Sequence, residues 1–216
     1  SSLLQLRLPL RLLADFRFIN QSLPVEMQQT NNLAKALYKQ LNDASIPVAE
    51  RSQIDIHFFD WRIMFTEVFD NGSDGFDIVI GNPPYINVQL MSEEDKTLYK
   101  KLFSSFFKRC DIFALFIENG LSLSSSDGIL TYIIPSVIHS NLSYQKIRDM
   151  ILNKHWLAEV CYTGGKVFNA PTVDTTIIRC NKHGNDKIIL KDAVNFSCHK
   201  IYEVDKDYFS KFQNVI

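Results

Sequence analysis

Short apolar runs alternate with helical patterns along this chain. Ile78–Ile80 is a continuous apolar run after the loop-forming stretch Asn71-Gly72-Ser73-Asp74-Gly75, and it reads as a buried strand that stops at Gly81. Further strands are expected at Ile129–Ile134, halted by Pro135, at Leu157–Tyr162, at Asp174–Arg179 and, as an edge, at Lys187–Leu190. Helical spacing appears at Asn31–Asn42, where Leu33, Leu37 and Leu41 share one face. It also appears at Met91–Lys101, where Ser92 followed by Asp95 resembles a capping box. Ile112, Leu115, Phe116 and Asn119 recur at helical spacing from Asp111 to Leu123, and a further helix is expected over Tyr144–Leu152. Residues 1–23 mix apolar and basic positions, fitting a helix or an irregular packing segment, and Ile54–Phe58 is a candidate strand. The alternation predicts an α/β sheet flanked by helices, mostly parallel, with a late antiparallel strand near residues 174–179.

Composition narrows this picture. The chain has 216 residues, 46% of them hydrophobic, which suits one soluble domain with a sizeable core. No apolar run reaches bilayer-spanning length and the first residues lack a signal pattern, so no membrane is expected. Cys110, Cys161, Cys180 and Cys198 are scattered without metal or redox spacing, so reduced buried thiols in a cytoplasmic protein are expected and no metal site. The net charge of −1 argues against an autonomous grip on duplex nucleic acid, which normally needs a basic face. Lys100, Lys101, Lys108 and Arg109 form a local cluster that suits a solvated helix face or a phosphate contact equally.

The most informative segment is Asn82-Pro83-Pro84-Tyr85, directly after the strand. Two prolines can neither continue a central strand nor open a helix here, so the chain must leave the sheet in a rigid extended loop at the strand's carboxyl end, where open α/β sheets place ligands. The loop carries an amide, backbone carbonyls and an aromatic ring. That set suits a planar ligand with an amino group: two oxygens accept from the amine and the ring stacks on its face. Pro-Pro-Tyr also suits a plain loop or a ligand of a WW-type domain. Gly164-Gly165-Lys166 reads as a turn, because the first glycine and the hydroxyl residue of a phosphate loop are absent.

With these residues the chain resembles the adenine-specific DNA methyltransferases of the type IIG and type I-like restriction-modification group. The resemblance is carried by residues 76–86, by Asp111-Ile112-Phe113 with Phe116-Ile117-Glu118, by residues 128–135, and by the aromatic lead-in Phe59-Asp60-Trp61 with Phe65–Phe69, where Thr66 stands in place of the group's usual proline. It implies a partial Rossmann-like sheet that uses S-adenosylmethionine, with flanking helices. In that group the Asn side chain and the next carbonyl bind the target amine and the Tyr stacks on a flipped adenine of double-stranded DNA. The implied catalytic positions are Asn82, Pro83 and Tyr85. Phe168 is the implied second ring against the base, although a core aromatic fits as well, and Asp111 and Phe113 are implied beside the cofactor.

The group's glycine-rich cofactor turn has no counterpart before the motif, because no glycine precedes Gly72. The expectation is an internal piece of a larger protein: a helical lead-in over 1–53, the catalytic half of a methyltransferase domain over 54–190, and the start of a following region over 191–216. DNA recognition, and an endonuclease if one is attached, would lie outside this chain, leaving it inactive alone with an incomplete cofactor pocket and an incomplete sheet whose edge is exposed or partner-covered. Methylation of a protein glutamine or an RNA base, and a non-catalytic nucleic-acid-associated fragment, are the alternatives.

Overall fold

The computed structural model describes residues 61, 65–69, 74–154, 156–165, 167, 173–194, 197–212 and 214–216. The chain forms two compact units, Ser1–Asn71 and Gly72–Ile216. In the first, the described residues form helix α1 (Thr66–Phe69), and the Trp61 and Phe65 rings stack at 5.3 Å. The helix expected at Asn31–Asn42, the strand expected at Ile54–Phe58 and the lead-in over residues 1–53 lie outside the described residues.

The second unit is a six-stranded mixed sheet with helices. Its strands are β1 (Phe76–Gly81), β2 (Ser124–Pro135), β3 (Leu157–Gly164), β4 (Thr175–Asn181), β5 (Lys187–Asp192) and β6 (Lys200–Asp205). They lie in the order β1-β2-β4-β3-β5-β6. Helices α2 (Glu93–Leu102) and α3 (Ile112–Leu123) fill the crossover between the parallel strands β1 and β2, and α4 (Gln145–Asn153) precedes β3. Ser92 caps α2 as its sequence suggests, its hydroxyl accepting from the Asp95 amide at 3.1 Å. Helix α3 is apolar nearly all round, and Ile112, Phe113, Ala114, Leu115 and Ile117 are fully buried.

Several expectations need correction. The sheet is not mostly parallel: three of its five pairings are antiparallel. The expected antiparallel strand is present as β4, but it sits inside the sheet and pairs antiparallel on both sides. The link from β3 to β4 is too short for a helical crossover, which forces antiparallel neighbours. Lys187–Leu190 is not an edge, because β6 pairs outside it. The described residues of 191–216 belong to the same compact unit, and β6 pairs with β5 in the same sheet. Within that unit Phe209 is buried, and the Ile216 amide donates to the His139 carbonyl at 2.9 Å.

Strand β1 is not buried as its apolar run suggests: Ile78 is 68% and Ile80 78% exposed. It is the terminal strand and, among the described residues, no strand pairs with its outer side. Of the cysteines, all free, Cys110 and Cys180 are buried, whereas Cys161 is half-buried and Cys198 exposed. No helix among the described residues is long and apolar enough to cross a membrane, and among them no group of His, Cys, Asp or Glu could hold a metal ion.

One polar cluster locks the last residues onto α4. Arg148 is 1% exposed, donating through Nε to the Asn214 carbonyl at 2.8 Å and through Nη1 to the carbonyls of Ile138 and Asn141. Beside it the His139 Nε2 is buried without a partner among the described residues. Burial, reinforced by the positive charge of Arg148, lowers the His139 pKa to about 4. The folded state therefore binds fewer protons than the unfolded one between pH 4 and about 6.5, so stability is full above the unfolded value and is lost as pH falls through this window. Between pH 7 and pH 5 the loss should be about 2 kcal/mol. Urea unfolding at the two pH values, compared with His139→Gln, checks this: the variant should lose less on acidification, and an equal loss in both proteins would place the acid sensitivity elsewhere.

Candidate active site

Strand β1 ends at Gly81, and residues 82–86 continue as an extended loop without regular structure. A side chain at Gly81 would meet the Tyr132 ring at 3.2 Å, so the strand leaves the sheet where only hydrogen fits comfortably. Pro83 is buried and anchors the loop, while Asn82 is exposed. Among the described residues neither the Asn82 amide nor the Pro83 carbonyl has a hydrogen-bond partner. Two acceptors at the carboxyl end of a strand thus have no partner among the described residues, one on exposed Asn82 and one on buried Pro83.

Tyr85 is fixed from two sides. Its hydroxyl donates to the Ile133 carbonyl at 3.1 Å, and its ring meets the Phe113 ring edge-on, 6.4 Å between centroids at 80°. Burial pushes the Tyr85 phenol up, which keeps it protonated as that donor. Phe113 stacks in turn on Tyr144, with centroids 4.9 Å apart. The Tyr144 hydroxyl donates to Asp111 Oδ2 at 2.7 Å, and desolvation together with that carboxylate raises its pKa strongly.

Asp111 is the shared partner. Its second oxygen accepts from Asn87 Nδ2 at 2.9 Å, and the same amide nitrogen donates to the Arg109 carbonyl. Around this pair the backbone closes a short antiparallel bridge: the Val88 amide donates to the Cys110 carbonyl and the Ile112 amide to the Ile86 carbonyl. The loop that starts at Asn82 is therefore stitched at its far end to the N-terminus of α3.

The structure thus brings Asn82, Pro83, Tyr85, Asp111 and Phe113 into one neighbourhood of loop and helix. Asp111 has both oxygens engaged and Phe113 is 0% exposed, so each stands behind the loop as a support. Phe168 lies outside the described residues. Gly164, at φ +77°, ends β3, and Lys166 of the expected turn lies outside the described residues. Sequence reading missed Asn87, Tyr144 and the Ile133 carbonyl. Asn87 carried a weak signal, a turn-favouring residue just past the prolines, but Tyr144 read only as a helix start and a carbonyl has no sequence signature.

The sequence model of a family described as Eco57I restriction-modification methylase matches residues 3–168. A protein of Methanocaldococcus jannaschii assigned as a type II restriction enzyme and methyltransferase is 31% identical over 161 residues, covering 73% of this chain and 13% of that protein. The type II restriction enzyme and methyltransferase RM.Eco57I of Escherichia coli is 28% identical over 132 residues, covering 59% of this chain and again 13% of the relative. The chain thus spans only a small part of the length of these relatives. Among solved structures, the methyltransferase subunit of a type I restriction-modification system from Streptococcus thermophilus aligns with a TM-score of 0.51 at 16% identity, over 65% of this chain and 37% of that one. The type IIG restriction endonuclease BpuSI aligns with the same score at 14% identity, over 64% of this chain and 20% of its own. At such identities these structures share the fold. On the match across residues 3–168, the chain belongs to the Eco57I restriction-modification methylase family.

Proposed function

We propose that this chain carries the amine-binding half of a DNA methyltransferase that modifies the amino group of a flipped adenine in double-stranded DNA, with S-adenosylmethionine as methyl donor, within a restriction-modification system. The observation that carries the reading is the pair of acceptors at Asn82 and Pro83, unpartnered among the described residues, beside a ring held in place by Ile133 and Phe113. Several relatives are named as type II methyltransferases, in keeping with it.

The target amine is a weak nucleophile because its lone pair is delocalised into the ring. Oxygens of Asn82 and Pro83 accepting its two hydrogens draw the nitrogen toward tetrahedral geometry and stabilise the positive charge that develops on it. They also aim it, turning encounter into orientation. A strong base is unnecessary, since the proton becomes acidic as the new bond forms. Extruding the base costs a few kcal/mol, and stacking on Tyr85 returns about 1–3 kcal/mol of that.

S-adenosylmethionine, when bound, supplies an electrophilic methyl group. On this reading its cradle is built with residues beyond those described, in keeping with the absence of a glycine before Gly72, the two bonds on Asp111 and the burial of Phe113. Asp111 and Phe113 also support the loop, through Asn87 and Tyr85. The 216-residue chain by itself should accordingly bind the cofactor weakly or not at all. Isothermal titration tests this, and tight stoichiometric binding would mean that the pocket is built from other residues of the chain.

In the full-length protein Asn82→Ala should abolish methyl transfer to cognate duplex while sparing cofactor affinity, because Asn82 is exposed and supports no other group. Tyr85→Ala should weaken base binding and turnover together. Tyr85→Phe should cost less, on the order of the 1 kcal/mol of a neutral hydrogen bond, since Phe113 still orients the ring. Tritiated methyl incorporation reads all three, and near-normal incorporation by Asn82→Ala would reduce the loop to a structural Pro-Pro turn.

A further inference from the structure

The loop between α2 and α3 and the exposed side of α2 enclose a cleft of about 320 Å³. That is the small end of the about 300–1,000 Å³ range of ligand clefts. Lys96 and Lys100 enter it from one face of α2 at helical i, i+4 spacing, with Thr97 between them, and Lys108 enters from the loop. Gln89 adds a neutral donor, and Glu93 is the one carboxylate in the lining. Glu93 pairs with Lys96 at 2.7 Å, its own side chain 87% exposed. Lys100 and Lys108 have no ion-pair partner among the described residues.

Lys108 has a left-handed backbone, φ +51°, a conformation that a side chain normally avoids. Its ammonium stands 5.0 Å from the Phe107 ring centroid, and Lys146 stands 5.2 Å from the same ring, so a further positive charge is gathered there. The loop is held firmly enough to sustain this. Glu118, 2% exposed, accepts from the amides and hydroxyls of both Ser104 and Ser105. The other end is tied by Asn87, which donates to the Arg109 carbonyl. Asn87 also closes the loop that starts at Asn82, and Val88 and Gln89, next in the chain, line the cleft.

We propose that this cleft binds a backbone phosphate of the DNA strand next to the nucleotide held by Asn82 and Tyr85, with Lys100 and Lys108 as the principal cations and Lys96 in support. The inference rests on the reading of DNA as substrate given above. A phosphodiester supplies the anion that two unpaired ammonium groups lack, and lysine meets it as a point charge without needing a planar partner. In a chain of net charge −1 such a local grip stands in for the broad basic face of an ordinary duplex binder. Because phosphate carries no base identity, the contact adds affinity and register but no sequence preference.

The test is fluorescence anisotropy of the full-length protein with labelled duplex at several salt concentrations. Lys100→Gln with Lys108→Gln should make the slope of log affinity against log salt shallower, by about 1 for each lysine lost. Cognate and unrelated duplexes should weaken equally, and tritium assays should show a raised KM for DNA with kcat retained. The corresponding Lys→Arg pair should restore the slope, and Lys154→Gln, on exposed surface away from the cleft, should leave it unchanged. An unaltered slope in the double Gln variant, or a loss confined to cognate DNA, overturns the proposal. Unaltered slope with intact methylation removes the cleft alone. A shallower slope in a protein that methylates no adenine removes the substrate reading and keeps the cleft, and a full-length protein that binds no DNA removes both.

Discussion

The two oxygens of Asp111 hold the site together. One accepts from Asn87, which closes the loop after the prolines, and the other from Tyr144, which stacks on Phe113 behind Tyr85. A half-buried carboxylate with two good donors is stable where a bare one is costly. Asp111 thus couples three separate chain segments: the extended loop after β1, the N-terminus of α3 and the turn before α4. Only one of these, the N-terminus of α3, belongs to a long regular element. Without that carboxylate the Asn87 amide and the Tyr144 hydroxyl would lose their shared partner, and the ring column behind Tyr85 would lose its orientation.

On the proposed reading this arrangement separates support from chemistry. Every group behind the loop is paired or buried: Asp111, Tyr144, Phe113, Pro83 and the Tyr85 hydroxyl. The groups in front, the Asn82 amide and the Pro83 carbonyl, are free among the described residues. A site that must accept hydrogen bonds from an incoming amine needs acceptors that the fold has not already used, and they must stay put while unpaired. Prolines achieve the second condition by fixing φ and removing donors that would otherwise compete for the carbonyls. Aromatic packing and the Asp111 bonds achieve it for the rest of the loop.

The sequence made local elements readable where pattern and punctuation agree. The capped start of α2, the apolar α3, the halt of β2 at Pro135 and the strand position of β4 all follow from spacing and breakers in the chain. The pairing of those elements did not follow. Ile78–Ile80 has the composition of a central strand yet is terminal in the sheet, because composition reports what a strand could bury and says nothing of which neighbour covers it. The expected parallel bias fails for a related reason: β3 ends at Gly164 and β4 begins at Thr175, too short a span for a helical crossover, and that length sets direction more strongly than strand composition does. At the site, Asn82 and Tyr85 stood out because two prolines isolate them. Asn87 and Tyr144 did not, since their importance lies in a partner distant in sequence.

Glu118 shows how far the support extends. A carboxylate buried to 2% exposure would ordinarily be a liability, but here it receives four donors from two adjacent serines and so fixes the start of the loop that carries Lys108. Asp111 and Glu118 lie on or beside the same helix, two turns apart, and each clamps one end of the segment between α2 and α3. Helix α3 is thereby a common frame for the acceptor loop and the lysine cleft. On the proposed reading, a strand gripped at the cleft and a base held at Asn82 would be referred to one rigid element rather than to two independent loops. The cost of holding the extruded nucleotide then falls on geometry already present before binding, which is where preorganisation is most effective.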